Sequence, residues 1–336
     1  MDLTKPIDIQ AVIGAAKKHK DLLTSIDAAQ ARELLMYFMA IPGITDSIEL
    51  GRTTLGAFSH RYTGTFIGAL NAGKVVPRTL KVYPAVIEAD DEPERYRRTY
   101  ITDVKGGLWP KTHPFEVWLI NYVLKCASAE LYNAILEAEY DATGANTALN
   151  KAFDGPITII KKEITANNIA VAKKNMVEIP TLSRANVGDE LLKLYRKADK
   201  QLKKKCVMFI SETVGEMYDD WLDDQGTLIT GSGAETAGQT FLRNTNKKCA
   251  LVRLPLSSTN EQMVIITSAQ AAGAPNVSNN ICWGYDKDSD FNTVKPFESG
   301  NPYHFTAAGK YVIGFQLVSL DPTMLCVSKT NTQLNA

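Results

Sequence analysis

Residues Gly68 to Val75, GALNAGKV, come within one position of the phosphate-loop pattern G-x-x-x-x-G-K-[ST]. In such a loop the hydroxyl after the lysine holds magnesium, and the helix that follows turns its amino end to the phosphates. Val75 stands where that hydroxyl is needed, and Pro77 bars the helix. A hairpin tip is the expectation instead. Asp286, Asp288 and Asp290 space three carboxylates as a calcium loop does, but Phe291 sits where glycine is required and Phe297 where glutamate is required, with Glu298 one place out of register. A solvated acidic turn is expected. The four histidines, His19, His60, His113 and His304, include no pair at i, i+4 and no H-E-x-x-H. Ser59 and His60 are adjacent, so on a strand they face opposite ways and cannot serve as nucleophile and base. No G-x-S-x-G elbow occurs, and Gly231-Ser232-Gly233 runs into Ala234-Glu235-Thr236 with no strand leading to it, which is not a dinucleotide fingerprint. These residues predict a chain that is not an enzyme, with no catalytic group, no cofactor and no metal.

The positive charges form two groups. Residues 202–206, LKKKC, with Lys197 and Lys200, cluster at a predicted helix end, where lysines complement the helix dipole and need no partner; a solvated face is expected there. The other group, Arg52, His60, Arg61, Lys74, Arg78 and Lys81, decorates two Thr- and Val-rich runs, GRTTLGAFSHRYTGTF and VVPRTLKVYPAVIEA, on either side of Leu70-Asn71-Ala72-Gly73. A Gly/Asn tip between strand-like runs signals a hairpin, and Pro77 and Pro84 restrict it to edge-type pairing. This ribbon carries little core-forming material, so it reads as an extended arm that must find partners on another surface.

The elements around it are legible from their periodicities. Residues 8–40 read as helical, with Ile9, Val12 and Ile13 as one apolar cluster and Ala28 through Met39 as a second, stopped by Pro42-Gly43. After Lys105-Gly106-Gly107 comes the strongest helix, capped by Thr112 with Pro114 in its first turn, whose positions Phe115, Leu119, Tyr122, Cys126, Ala129, Asn133 and Leu136 step by three or four. The second half alternates: FDGPITIIKKEITA, VGDELLKLYRKADKQLKK, CVMFI, SETVGEMYDDWLDDQ with Ser211 as N-cap, KCALVRLP, QMVIIT, then KYVIGFQLVSL and MLCVSKT joined by Asp321-Pro322. The residues from Gln225 to Thr245 read as a loop.

The chain has 336 residues, a length for about two domains at roughly 100–200 residues each. Hydrophobic residues make up 45% and charged ones 22%, too apolar for a disordered chain. Thirty-seven basic residues balance 37 acidic ones, against the basic excess of a dedicated nucleic-acid binder. No run has the roughly 18–20 apolar residues of a membrane span. Lys17, Lys18 and Lys20 follow the first apolar stretch rather than precede it, the reverse of a secretory signal. The five cysteines, Cys126, Cys206, Cys249, Cys282 and Cys326, are odd in number and far apart, as expected of thiols packed as small hydrophobes in a reducing cytosol.

The order of these segments resembles the major capsid protein of tailed bacteriophages, and more narrowly looks like the coat proteins of phages and prophages of gut Bacteroidetes. RTLKVYPAVIEADDEPERYRRTYI resembles the hairpin return into a peripheral domain, and HPFEVWLINYVLKCASAELYNAI resembles the spine helix. CVMFISETVGEMYDDWL, then MVIITSAQ and ICWGYDKDSD, resembles the axial domain. The fold this resemblance implies is α+β, the tailed-phage capsid fold. It would comprise an N-terminal helical arm at 1–48, an extended β-hairpin arm at 49–86, a peripheral domain at 87–154 and 303–336 with a spine helix at 114–138, and an axial α/β domain at 155–302.

The implied function is structural: copies assemble as hexamers and pentamers into an icosahedral shell around double-stranded DNA. Portal and scaffold proteins are further partners, there is no membrane partner, and the site is a virion made in the bacterial cytoplasm. Arg52, Arg61, Asn71, Gly73, Lys74, Arg78 and Lys81 are the expected intersubunit contacts, with acidic counterparts among Asp90, Asp91, Glu92 and Glu94 or on the face of Asp219, Asp220, Asp223 and Asp224. Two alternatives stand beside this: an encapsulin-like cellular compartment shell protein, and an α/β enzyme or ligand-binding protein with an unrecognised site.

Overall fold

The computed structural model describes residues 34–53, 61, 64, 75–107, 115–145, 147–204, 206–224, 240–268, 280–287, 294–297 and 304–330. Two large sheets, a two-stranded ribbon and five α-helices organise them. The first sheet is built on a long strand, β12 (Phe305–Leu317), for which the sequence supplies alternating apolar positions. Phe305, Ala307, Tyr311, Ile313, Phe315 and Leu317 are all buried. β4 (Tyr83–Asp91) pairs antiparallel with its first nine residues, β11 (Lys295–Phe297) takes its other edge, and β10 (Ile281–Tyr285) pairs with its last four. β1 (Met39–Pro42) closes this sheet, parallel to β10.

The second sheet has the order β5-β13-β9-β6-β8-β7, formed by β5 (Met176–Ile179), β6 (Cys206–Ser211), β7 (Thr240–Phe241), β8 (Cys249–Leu254), β9 (Ile265–Thr267) and β13 (Leu325–Thr330). Its strands are buried at nearly every position because both faces are covered. Val207 and Phe209 of β6, Val252 of β8 and Val327 of β13 face one core, shared with β12 and the helix α2 (Phe115–Ala134). Cys206, Met208 and Ile210 face the other, beneath α4 (Val187–Lys197) and α5 (Glu212–Asp224). This is the period-two alternation of a strand, with both faces buried. Burying each such side chain contributes about 1.5–3 kcal/mol. Ser211 Oγ accepts the Val214 amide at 3.0 Å, so the N-cap expected for α5 is in place. The helices α1 (Arg97–Lys105) and α3 (Pro156–Thr165) complete the set.

Four expectations about elements need correction. Residues 8–40 do not end as helix: the described part has helix at Leu34 and Leu35, and Met39–Pro42 is a strand. Its partner, Cys282–Tyr285, lies too far along the chain for local periodicity to reveal. The spine helix stops at Ala134 rather than 138, because the carbonyls of Leu136 and Ala138 turn away to accept the amides of Ile157 and Gly155. A Cβ on Gly155 would lie 2.4 Å from the Leu136 oxygen, so only glycine permits that approach. The described strands of the hairpin begin at 47 and end at 81, against 49 and 86 expected: the Val82 amide makes the last bond, to Asp46 O, and from Tyr83 onward the chain pairs with β12. Finally, residues 303–336 are split. β12 lies in the first sheet and β13 in the second, while β10 and β11, expected in the axial unit, join the first.

Candidate assembly surface

β2 (Ser47–Thr53) and β3 (Val75–Lys81) form the two-stranded ribbon, Ser47 opposite Lys81 and Thr53 opposite Val75. One face carries Ile48 and Leu50 with Val76, Arg78 and Leu80; the other is Ser47, Glu49, Thr79 and Lys81, so alternation makes it amphipathic. Among the described residues of the apolar face, burial falls between Leu80 and Val76, and Ile48 is open although it stands opposite Leu80. Leu80 is fully buried, packing with Ile44, Val82 and Cys282, whereas Val76 is 52% exposed and Ile48 41%. Gly51 stands opposite Pro77, the position just outside the anchored end. Gly64 has φ +85°, a left-handed value suited to a turn. Asn71 and Gly73, expected at the tip, lie outside the described residues, as does Lys74.

The anchor is polar as well as apolar. Arg78 Nη2 donates to Glu163 Oε1 of α3 at 2.5 Å and to Gln316 Oε1 of β12 at 2.9 Å. Gln316 Nε2 returns a bond to Thr79 O at 2.8 Å, closing a ring between ribbon and body. Both charged side chains are largely buried, at 15% and 17% exposure. Beneath them β3 crosses β12 so closely that a Cβ on Gly314 would meet Lys81 O at 2.0 Å. Arg78, expected to reach a second subunit, is thus spent within its own chain, because pairing of its strand aims it inward at Glu163. Lys81 lies over the Tyr83 ring, 5.2 Å from its centroid, and Tyr83 stacks on Tyr140 at 4.3 Å. Arg61 is exposed, and Arg52 occupies the ladder position opposite Val76. Among the expected contacts, the structure therefore gathers Arg52, Arg78 and Lys81 on one ribbon and sets Arg78 apart as its fastening. Glu163 and Gln316 were missed, since nothing local marks either as a partner of a residue so distant in the chain.

The acidic counterparts are mostly engaged too. Asp91 accepts from the Tyr96 hydroxyl at 2.7 Å and from Arg95 at 3.2 Å. Those bonds, the tyrosine's first and then the Glu92 amide's, hold its carboxyl below the ordinary carboxylate value, and the same bond pushes Tyr96 up to about 12. Asp90 faces His304 at 3.0 Å, and Glu94 pairs with Arg97. Asp219 binds Arg253, and Asp220 and Asp224 share Arg184. Between β4 and α2 lies an open groove of about 610 Å³ with Val86, Tyr122 and Cys126 on its walls and Glu88, Asp90 and Glu130 at its rim. Val86 there is 56% exposed.

No metal cluster of three or more His, Cys, Asp or Glu occurs among the described residues, and no described helix is long and apolar enough to cross a membrane. Asp286 offers only its backbone, accepting the Gly43 amide, while Asp288, Asp290, His19, His60, His113 and the 231–236 motif lie outside the described residues. Cys206, Cys249, Cys282 and Cys326 are buried free thiols and Cys126 an exposed one.

No protein-family model matches the sequence, and no curated protein matches it. Solved structures do. The capsid of a native GTA particle aligns with a TM-score of 0.53 at 10% identity over 90% of each chain. The capsid of an empty GTA particle gives 0.50 at 10% identity, again over 90% of each. A satellite phage P4 procapsid aligns over 98% of this chain and 93% of its own, at 13% identity and a TM-score of 0.49. The first two establish the architecture alone: this chain has the α+β fold seen in those GTA capsids.

Proposed function

We propose that the chain is a shell-building subunit. What carries this reading is the ribbon: its inner face is bolted to the body at Leu80 and Arg78, yet within four residues that apolar face is uncovered at Val76. An amphipathic ribbon anchored at Leu80 and uncovered at Val76 is matched by a surface on another copy. The groove between β4 and α2 supplies such a surface, with apolar walls and an acidic rim that suit a basic ribbon carrying Arg52, Arg61 and Lys74. Lys81, Asn71 and Gly73 complete the proposed contacts. Head-to-tail seating of this kind closes into rings where the rotation permits. The finer reading is hexamers and pentamers forming an icosahedral shell around double-stranded DNA, within a phage or prophage of the Bacteroidetes type, made in bacterial cytoplasm and joined by portal and scaffold proteins.

The test is size-exclusion chromatography with negative-stain microscopy of the full chain. Closed particles are expected. Deleting Asn71–Val75 is expected to leave a folded subunit, by circular dichroism, that no longer closes. Wild-type-like particles from the deletion would overturn the reading.

A further inference from the structure

The lysines at the carboxyl end of α4 look, in sequence, like a dipole-complementing helix end. The fold adds to them a second basic segment from more than forty residues away. Arg196 and Lys197 end α4, followed by Lys200, Lys203 and Lys204. Lys203 Nζ donates to Arg196 O, which folds this segment back on itself. β6 then begins at Cys206, whose register partner in β8 is Cys249, and the Cys206 amide donates to Lys248 O at 3.1 Å. Lys247 and Lys248 therefore stand beside the first cluster. They are displayed by a tight turn in which Asn244, Asn246 and Lys247 are all left-handed.

Six of these seven cations are exposed and Lys203 is half-buried. None makes an ion pair among the described residues. The one carboxylate in the two segments, Asp199, accepts the Gln201 amide at 2.7 Å. The helix dipole accounts for Arg196 and Lys197 but not for Lys247 and Lys248, which follow no helix.

The composition of the patch identifies what it fits. Protein interfaces are depleted of lysine and centre on apolar or aromatic side chains. Here six of seven cations are lysine, and none of the large exposed apolar side chains lies in either segment. Single-stranded nucleic acid needs exposed aromatic platforms, and the aromatic ring here, Tyr195, is buried. We infer that this end of the second sheet is a sequence-independent seat for the phosphate backbone of a nucleic-acid duplex. With a net charge of zero, the chain's attraction for a polyanion has to come from local concentrations of cations such as this one. The inference adds to the shell reading a surface for what the shell encloses. The two fail separately, since particle formation and phosphate binding are different measurements.

The experiment is fluorescence anisotropy of a labelled duplex of about 20 base pairs with the full chain, titrated with salt. If about four phosphates are engaged, affinity falls roughly a hundredfold between about 50 and 200 mM salt. Two variants probe the two segments independently: Lys247→Glu with Lys248→Glu, and Lys200→Glu with Lys204→Glu. Each is expected to weaken binding at least about tenfold and lower the salt slope by about 2, with circular dichroism unchanged. Absent or salt-insensitive wild-type binding overturns the inference, as does unchanged affinity in both variants. Displacement of the duplex by poly-glutamate at equal charge would overturn it as well, and so would loss of particles in both variants without any wild-type duplex binding. Those two results assign the patch to an acidic protein surface.

Discussion

Arg78 and Glu163 show how a charge pair can be worth more than its contact suggests. Exposed ion pairs contribute about 0–1 kcal/mol, but these side chains are only 15% and 17% exposed, and Gln316 ties the pair to the backbone of Thr79. Arg78→Ala leaves the Glu163 carboxylate largely buried with Asn168 Nδ2 as its remaining side-chain donor. A loss of about 3 kcal/mol in urea unfolding is expected. Arg78→Leu combined with Glu163→Leu removes both charges and should recover most of that loss. A double variant no better than the single one would show that the Coulombic pairing itself is the main contribution. Asp91 and Tyr96 give a second test, through pH. The depressed carboxyl of Asp91 contributes stability that is present above its unfolded value, near 3.8, and is lost as pH falls through its lower folded value. The raised hydroxyl of Tyr96 contributes stability that is present below about 10 and lost as pH rises toward about 12. Tyr96→Phe should move the Asp91 carboxyl titration, followed by NMR, upward toward the ordinary value. An unmoved titration would rule the hydrogen bond out as the main cause.

Elements were legible where their signal is local. Strands lie at the segments CVMFI, KCALVRLP, QMVIIT, KYVIGFQLVSL and MLCVSKT, although β12 begins five residues earlier, at Phe305; α2 lies within the long periodic run, and Ser211 caps α5 as its type predicts. What local pattern does not carry is which strand pairs with which. β1 joins β10 across the length of the chain, and β13 leaves the sheet of its immediate predecessor for a place between β5 and β9. The ribbon's second strand runs without a compositional break into β4, so its end at Lys81 is set by Gly314 and Gln316, not by its own residues. Helix packing gives a case where two rules oppose each other. Gly188 in α4 is a poor helix former, and alanine there gains about 1 kcal/mol of propensity. Its Cβ, however, would lie 2.4 Å from the Trp221 ring of α5. Overpacking of that kind costs about 1–3 kcal/mol, and Trp221 is held by the neighbouring Tyr218 ring and by Arg243. Gly188→Ala is therefore expected to destabilise by about 1 kcal/mol or more, with a change in tryptophan fluorescence. A stabilised variant would show that α4 can slide freely on α5.

For the whole molecule, the question is whether the ribbon serves its own fold or another copy's. The residues of the ribbon divide along that line. Arg78 and Leu80 serve the fold, and their replacement is read in unfolding. Val76 lies on the same apolar face, but at 52% exposure it has little of its own chain to lose. Val76→Asp should therefore change unfolding free energy by less than about 0.5 kcal/mol, as exposed substitutions generally do. On a second copy the same aspartate would be pressed against apolar walls rimmed by Glu88, Asp90 and Glu130. There it would meet both desolvation and like charge, each unfavourable. Sedimentation should then show a folded subunit that does not enter particles under conditions where the wild type does. Glu130→Lys on the facing groove should partly restore assembly to Val76→Asp, because it converts the repulsion into an attraction. Particles from Val76→Asp alone would mean that this face of the ribbon is not what joins one copy to the next. Rescue by Glu130→Lys would locate the join between β3 and α2, a pairing that no unfolding experiment on the isolated chain can detect.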